Sequence, residues 1–421
     1  MTTQTNIQTK PTFNQSQITI GIVLLVIGLL MFLLFVRDTQ PGQQATFGLN
    51  TNSGNEAFVV PDLVLPVQPA LYVLTVVIVF LAGWQFARGI RSTGLLVGVV
   101  AFAFVASFLI WATKDQAFNL VGMLGNSLIS ATPVALAALC GVISERAAVT
   151  NIAIEGIMLI SAQVGVVAAT ISHNLWVGLI SAILAGGLIA AAHAFLVISF
   201  KVDHSVSGIA INIFGTGATS FIASRYLEKN IDGLNNSGTF QNIAIPFLSK
   251  IPIIGPIFFQ NNIVVYLMII LVIIMHIVLF YTPWGLRTRA VGEHPKAADT
   301  LGINVYLVRY VNVIVGGMIA GLGGAYFTVG AVGRFDQNMT AGKGFIGLAA
   351  VIVGKWNPIG AFASSLIFGF ADSLQVKMQI LGINIPSEFL QMTPYIVTMI
   401  VLTGLIGRAL PPAADGQPYE K

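Results

Sequence analysis

The chain has 421 residues, of which 56% are hydrophobic and 9% charged, and its mean hydropathy of +0.86 excludes a soluble domain, where about a quarter of residues carry charge. At roughly 20 apolar residues per crossing, there is room for about ten membrane helices and their loops in one membrane domain. Lys and Arg exceed Asp and Glu by 20 to 16, but they sit beside the ends of apolar runs instead of forming a patch, so positive-inside anchoring explains them and no nucleic-acid partner is implied.

Residues 1–17 form a polar leader containing Lys10. The uncharged run from Ile18 to Val36 is longer than a signal-peptide core and reads as a retained span. Further spans are expected at Pro69 to Phe86, Ser92 to Ala112, Val121 to Ile143, Ile152 to Ile171, Trp176 to Phe200, Val206 to Ser224, Ile263 to Tyr281, Val311 to Val332 and Phe389 to Ile406. Between the last two, Phe345 to Gly354 is too short to cross. Lys355-Trp356-Asn357-Pro358 then breaks the chain before a second apolar run, Ile359 to Ala371. The pair reads as a re-entrant hairpin or broken helix, which survives at membrane depth only where protein or a watery cavity satisfies its backbone. The expected fold is therefore an all-α integral membrane protein with extra spans at 18–115, a core at 116–408 and a disordered cytoplasmic tail at 409–421. Cys140, the single cysteine, lies in an apolar run and reads as an inert core residue.

Orientation follows from the loops. Arg88 and Arg91 bracket one connection, whereas the loop from Arg37 to Gln68 carries Arg37 against Asp38, Glu56 and Asp62. The first is assigned inside and the second outside. Counting crossings then places Glu145 and Arg146, Lys201 to His204, the loop 284–309 and both termini on the cytoplasmic side. The segment 228–262 lies outside, as an ordered cap or a receptor-facing loop.

In the loop 284–309, a short helix starts at Pro295 and stops at Gly302. About two turns of helix are marginal alone in water, so it needs a surface to dock on. The stretch from Gly285 to Ile303 resembles the coupling loop of ABC-importer permeases of the branched-chain amino acid, ribose and nucleoside superfamily, with nucleoside permeases nearest. A second block, Glu145-Arg146 through Asn151-Ile152 to Glu155-Gly156, resembles the pattern those permeases carry before their central span. Asn338 to Pro358 and Phe370 to Gln375 match as well, so the resemblance covers roughly Gly125 to Arg408. The family often has Ser-Gly at Ala147-Ala148, Asn at His294 and Ala at Leu301. Without Asn at 294, the cap before Pro295 is weakened.

The resemblance implies an ABC-importer permease fold and a membrane subunit that passes a small solute inward by alternating access. Arg289, Gly292, Glu293, Pro295, Ala298, Asp299, Leu301 and Gly302 are the implied ATPase-coupling residues. The implied partners are an ATP-binding cassette ATPase, a second permease subunit or a second copy of this chain, and an extracytoplasmic solute-binding lipoprotein, in a bacterial inner membrane. No G-x-x-x-x-G-K-[ST] occurs, because Gly342-Lys343 precedes Gly344 and Gly354-Lys355 precedes Trp356. The chain thus binds no cofactor itself, and ATP and Mg²⁺ are assigned to the partner ATPase. Arg146, Asn151 and Glu155 mark a gate or simply a helix start, with Asn151 as N-cap and Glu155 at the positive helix end or paired with Arg146.

Polar groups in otherwise apolar spans, Asn126, Ser130, Gln163, His193, Asn212 and Thr216, are candidates for a translocation path. His193 also fits an interhelix donor, and Ser130 fits a bond to the preceding turn. An aromatic wall for a base is available at Phe214 or Phe345. Small residues at Gly186-Gly187 and from Gly316 to Gly324 fit close helix packing. Alternative cargoes are simple sugars and branched-chain amino acids. An ion-coupled secondary transporter usually keeps carboxylates deep in its spans, and here only Asp372 and Glu155 border the main apolar runs. The five histidines are scattered without paired acids or metal-ligand spacing, so neither a membrane enzyme nor a metal site is expected.

Overall fold

A computed structural model describes residues 15–50, 59–90, 93–382 and 409–421, with the isolated positions 389, 392, 396 and 399 between them. Among the described residues, ten helices are long and apolar enough to cross a membrane. The number agrees with expectation but the set does not. The run from Phe389 to Ile406 lies largely outside the described residues, while Pro358–Ile380, read as half of a broken hairpin, is one continuous helix of 23 residues. Asp372 lies inside this helix, where Lys343 pairs with its carboxylate at 2.5 Å.

Among the described residues the chain divides into two compact units, 15–50, 59–90, 93–120 and 380–382 in the first and 121–379 with 409–421 in the second. The first holds helices α1 (Gln15–Met31), α2 (Val67–Arg88) and α3 (Thr93–Ala112). It is not purely helical. Strands β1 (Gln44–Gly48), β2 (Leu63–Pro66) and β3 (Ala117–Asn119) make a small sheet in the order β2-β1-β3. The alternation in β1 buries Ala45 and Phe47, and Phe47 meets Phe118 edge-on at 6.1 Å, which gives these loop residues a reason to pair.

The second unit contains α4 (Leu120–Arg146), α5 (Ile154–Ser172), α6 (Leu175–Ala194) and α7 (His204–Ile222). After α8 (Ile231–Leu234), β4 (Ile243–Ala244), α9 (Ile254–Phe258) and β5 (Gln260–Asn261) come α10 (Ile263–Tyr281), α11 (Pro283–Glu293), α12 (Pro295–Thr300), α13 (Val305–Ala325), α14 (Lys343–Val353) and α15 (Pro358–Ile380). Several helix starts are capped by short polar side chains. Asp203 accepts from the amides of Ser205 and Val206, and Asn262 from those of Val264 and Val265.

Helix α4 is the centre, with 89% of its apolar window buried. Gly369 of α15 lies so near that a Cβ would sit 2.3 Å from the Ser127 carbonyl oxygen, and Gly347 of α14 would meet the Ala137 Cβ at 2.4 Å. The glycines expected to permit close packing do so where α6 crosses α13. A Cβ on Gly186 would fall 2.3 Å from the Gly317 carbonyl oxygen, and one on Gly321 2.5 Å from that of Ala182.

The segment 228–262 is ordered and packs on residues 329–335, beyond α13. Asn235 exchanges two hydrogen bonds with the backbone of Phe335, at 2.7 and 3.0 Å, and Asn262 donates to the Gly330 carbonyl at 2.8 Å.

Residues 409–421, expected to be disordered, are packed. Ala414 and Tyr419 are buried, and the Ala414 amide donates to the Gly292 carbonyl at 3.0 Å. Two prolines at 411–412 and one aromatic ring lower the cost of ordering and supply area to bury. A polar composition alone conceals both.

Candidate functional site

The end of the second unit that carries Arg146, Lys201 and Arg287 collects most of the residues singled out from the sequence. The coupling segment is two helices, α11 and α12, joined at His294. As expected from the missing Asn, His294 is the N-cap of α12 without any side-chain cap bond. Pro295 begins the helix and Gly302, at φ +82°, follows its end.

The structure splits the eight coupling candidates into three sets. Gly292 and Ala298 face inward: a Cβ on Gly292 would lie 2.3 Å from the Arg146 carbonyl oxygen, and Ala298 packs in a cluster with Val291, Val305, Val308 and Tyr419. Arg289 is half-buried, its guanidinium 5.2 Å from the Phe280 ring centre. Pro295 and Asp299 are half-buried, whereas Glu293, Leu301 and Gly302 are exposed. Leu301 is 82% exposed, an apolar knob at the end of α12. His294, Lys296, Ala297 and Thr300 share this outer face. Helical periodicity within α12 could have found them, since Ala298 is its buried position.

Arg309, the last residue of the expected loop 284–309, belongs to α13 and is 1% exposed. Its Nη1 donates to the Gln417 carbonyl at 3.0 Å. Thr150 donates its hydroxyl to Asp415 at 3.1 Å, and burial holds that carboxyl above the usual carboxylate range.

Glu155 stands in the first turn of α5, the positive helix end expected for it. Glu155 does not pair with Arg146. Its Oε1 accepts from the Thr340 hydroxyl at 2.6 Å and the Gly342 amide at 2.8 Å, and its Oε2 from the Gly344 amide at 2.7 Å. It therefore caps the start of α14, a different helix from its own, where orphan amides and the dipole favour an anion. The glycine-rich turn Thr340-Ala341-Gly342-Lys343-Gly344 was the available signal, because exposed amides at a helix start need an acceptor. Asn151 caps a turn two residues before α5, accepting from the Ala153 amide at 3.1 Å. Arg146 donates its Nε to the Trp356 carbonyl at 2.9 Å, while the Trp356 indole donates to Glu145. Together they hold the α14–α15 break, where Lys355 and Trp356 are both left-handed at φ +55° and +52°.

Four path candidates are already engaged within the bundle. Gln163 donates to the Thr219 carbonyl at 2.9 Å, and Asn212 links α7 to the start of α5 through the Gly156 amide and Ile152 carbonyl, both at 2.8 Å. His193 is the interhelix tie anticipated as its alternative, contacting Ser207 Oγ at 2.9 Å and the Thr150 carbonyl at 3.3 Å. Thr216 bonds the Asn212 carbonyl in its own helix at 3.0 Å. Asn126 and Ser130 lie one turn apart on α4, exposed and half-buried. No arrangement gathers the six into one cluster, and Phe214 and Phe345 are exposed. A cleft of about 430 Å³ lies elsewhere, lined by apolar residues of α10 and α13 such as Leu271, Met275, Val315 and Met318, with Trp284 and Asn312 also on its wall.

Lys343 and Asp372 are each about a fifth exposed. Removing one partner from such a pair is expected to cost about 3 kcal/mol, whereas replacing both by apolar residues costs less than the sum. Thermal unfolding of Lys343→Met, Asp372→Leu and the double variant in detergent checks this; additive losses would show that the ion pair contributes nothing.

A family model described as "Branched-chain amino acid transport system / permease component" matches residues 123–406. The guanosine ABC transporter permease protein NupQ of Bacillus subtilis (strain 168) is 44% identical over 312 residues, covering 70% of this chain and 95% of the relative. The nucleoside ABC transporter permease protein NupC of Lactococcus lactis subsp. cremoris (strain MG1363) is 42% identical over 308 residues, 71% of this chain and 96% of the relative. More distantly similar is the guanosine ABC transporter permease protein NupP of the same Bacillus strain, at 23% over 322 residues, 74% of this chain and 90% of the relative. No solved structure matches the chain significantly. With ten helices able to cross a membrane and a family match over the greater part of its length, this multi-pass membrane protein belongs to the branched-chain amino acid transport system permease family of ABC importers.

Proposed function

We propose that this permease carries nucleosides inward across a bacterial cytoplasmic membrane by alternating access. Hydrolysis is supplied by separate ATP-binding cassette subunits, which bind the ATP and Mg²⁺. The observation that carries the reading is the coupling segment: Gly292 and Ala298 fix α11 and α12 to the bundle while Glu293, Lys296 and an 82% exposed Leu301 face outward. An apolar knob among charges on a rigidly seated short helix suits a protein partner better than solvent. The basic connections support a cytoplasmic position for this end and for both termini. The cargo follows from the relatives named for guanosine and nucleosides. Two guanosine permease proteins from one Bacillus strain, both similar to this chain, support a core of two unlike permeases, and an external solute-binding lipoprotein delivers the nucleoside.

Reconstitution with these partners in vesicles tests the reading through labelled guanosine or uridine uptake. Uptake is expected to require both ATP and the receptor, and to be lost when Glu293→Ala is combined with Leu301→Asp. Uptake by the chain alone under an ion gradient would replace the importer by a secondary transporter.

A further inference from the structure

The packed segment 409–421 touches three connections at the Arg146 end of the second unit. At α11, the Ala414 amide bonds the Gly292 carbonyl at 3.0 Å and the Ala413 amide reaches Glu293 at 3.3 Å. In the α4–α5 connection, Asp415 accepts from Thr150 at 3.1 Å. Beyond α6, Glu420 pairs with Lys201 at 2.7 Å. Between these points Tyr419 is buried among Val291, Ala298, Val305 and Val308, and its ring meets Tyr306 at 5.4 Å. Arg309 also meets the segment. The guanidinium is buried, and its Nη1 donates to the Gln417 carbonyl at 3.0 Å. Were the segment to leave, Arg309 would exchange this acceptor for water, so the bond fixes where the segment sits and the buried Tyr419 ring supplies the apolar area that holds it there.

The far side of Thr150 is joined to the transport helices. Its amide donates to His204 Nδ1 at the start of α7 at 3.1 Å, and its carbonyl contacts His193 of α6 at 3.3 Å. We propose that residues 409–421 are a strap that makes the coupling segment and the α4–α5 and α6–α7 connections move as one body, with Asp415, Gln417 and Tyr419 as positioning residues. This rests on α11 and α12 being the ATPase contact. Displacement of α12 then pulls on Thr150, and through it on the starts of α5 and α7, instead of being absorbed by a free loop. Coupling through such a contiguous, packed element needs no change at the solute path itself.

Tyr419→Ala and Tyr419→Phe in the full chain provide the test, the phenylalanine keeping the packed ring. In the isolated permease, Tyr419→Ala is expected to make amide exchange about tenfold faster in α11–α12 and also in residues 147–153. In the reconstituted importer it is expected to retain the ATPase and hydrolyse ATP within about twofold of the parent, while guanosine carried per ATP falls about fivefold, the low end of coupling between linked sites. Tyr419→Phe is expected to match the parent in both. Faster exchange confined to residues 409–421 would overturn the strap whatever the ATPase does, and unchanged transport per ATP would overturn it as well. A rise in uptake would make the segment an inhibitory lid instead. If the parent chain itself fails to retain the ATPase, the importer reading fails while the exchange result still decides whether the connections move together.

Discussion

Gly317→Leu is expected to prevent assembly of the helix bundle, leaving little protein extractable in folded form and no transport. A Cβ at this position would lie 2.1 Å from that of Ala190 and 2.6 Å from the Gly186 carbonyl oxygen. Real Cβ atoms essentially never approach so closely, and here the neighbours are backbone and a short side chain with nowhere to move. The penalty is at least about 3 kcal/mol, the upper range for overpacking, because relief requires α6 and α13 to separate along their length. Gly317→Ala is expected to retain a weakened fold, with a lower midpoint in thermal unfolding in detergent. Gly217→Leu on α7 is the control, since nothing lies within 4 Å of its built Cβ, and it is expected to unfold like the parent. Parent-like stability in Gly317→Leu would show that α6 and α13 do not cross here.

Replacing Glu155 is expected to be nearly as damaging, but for a chemical reason. Its two oxygens receive three hydrogen bonds at the start of α14. Glu155→Ala leaves the Gly344 amide and the Thr340 hydroxyl buried without acceptors, and charge-assisted bonds of this kind contribute roughly 1.5 to 3 kcal/mol each, not additively. A net loss of about 4 kcal/mol is expected. Glu155→Gln keeps the shape and one accepting oxygen but removes the charge that complements the helix dipole, so about half of that loss is expected. If α14 is held in place by this carboxylate, nucleoside uptake falls in the same order, Gln above Ala. Gly344→Ala provides an independent check, because its Cβ would sit 2.7 Å from the Glu155 Cα and Oε2. Stability unchanged in Glu155→Ala would show that the turn 340–344 is capped by something else.

Much of the architecture was legible before any coordinates. Apolar runs near 20 residues have one economical solution in a bilayer, so most of the helices that TM length and composition pick out fall where the runs do. The glycines of α6 and α13 announced close packing, and Pro295 with Gly302 bounded the coupling helix, because these residues act through local backbone geometry and need no distant partner. His294 likewise behaves as its missing amide side chain implies, leaving α12 uncapped.

What only the tertiary structure decided concerns partners far apart in the chain. Glu155 reads as stabilising the start of its own helix, and no local rule reveals that its oxygens accept from one hydroxyl and two amides 185 to 189 residues away. Asp372 marks the end of an apolar run, and only the fold pairs it with Lys343. Thr150, Ala298 and Arg309 have no common sequence pattern, yet the fold brings them under one packed segment whose polar composition suggested disorder. The sequence by itself therefore determined that this is a many-helix membrane protein, which helices pack closely and where the coupling helix begins and ends, because hydropathy, glycine and proline act within a turn or a span. Which carboxylate holds which helix, and what the last residues grip, are settled by long-range desolvation and hydrogen bonding, which depend on where the chain returns in space.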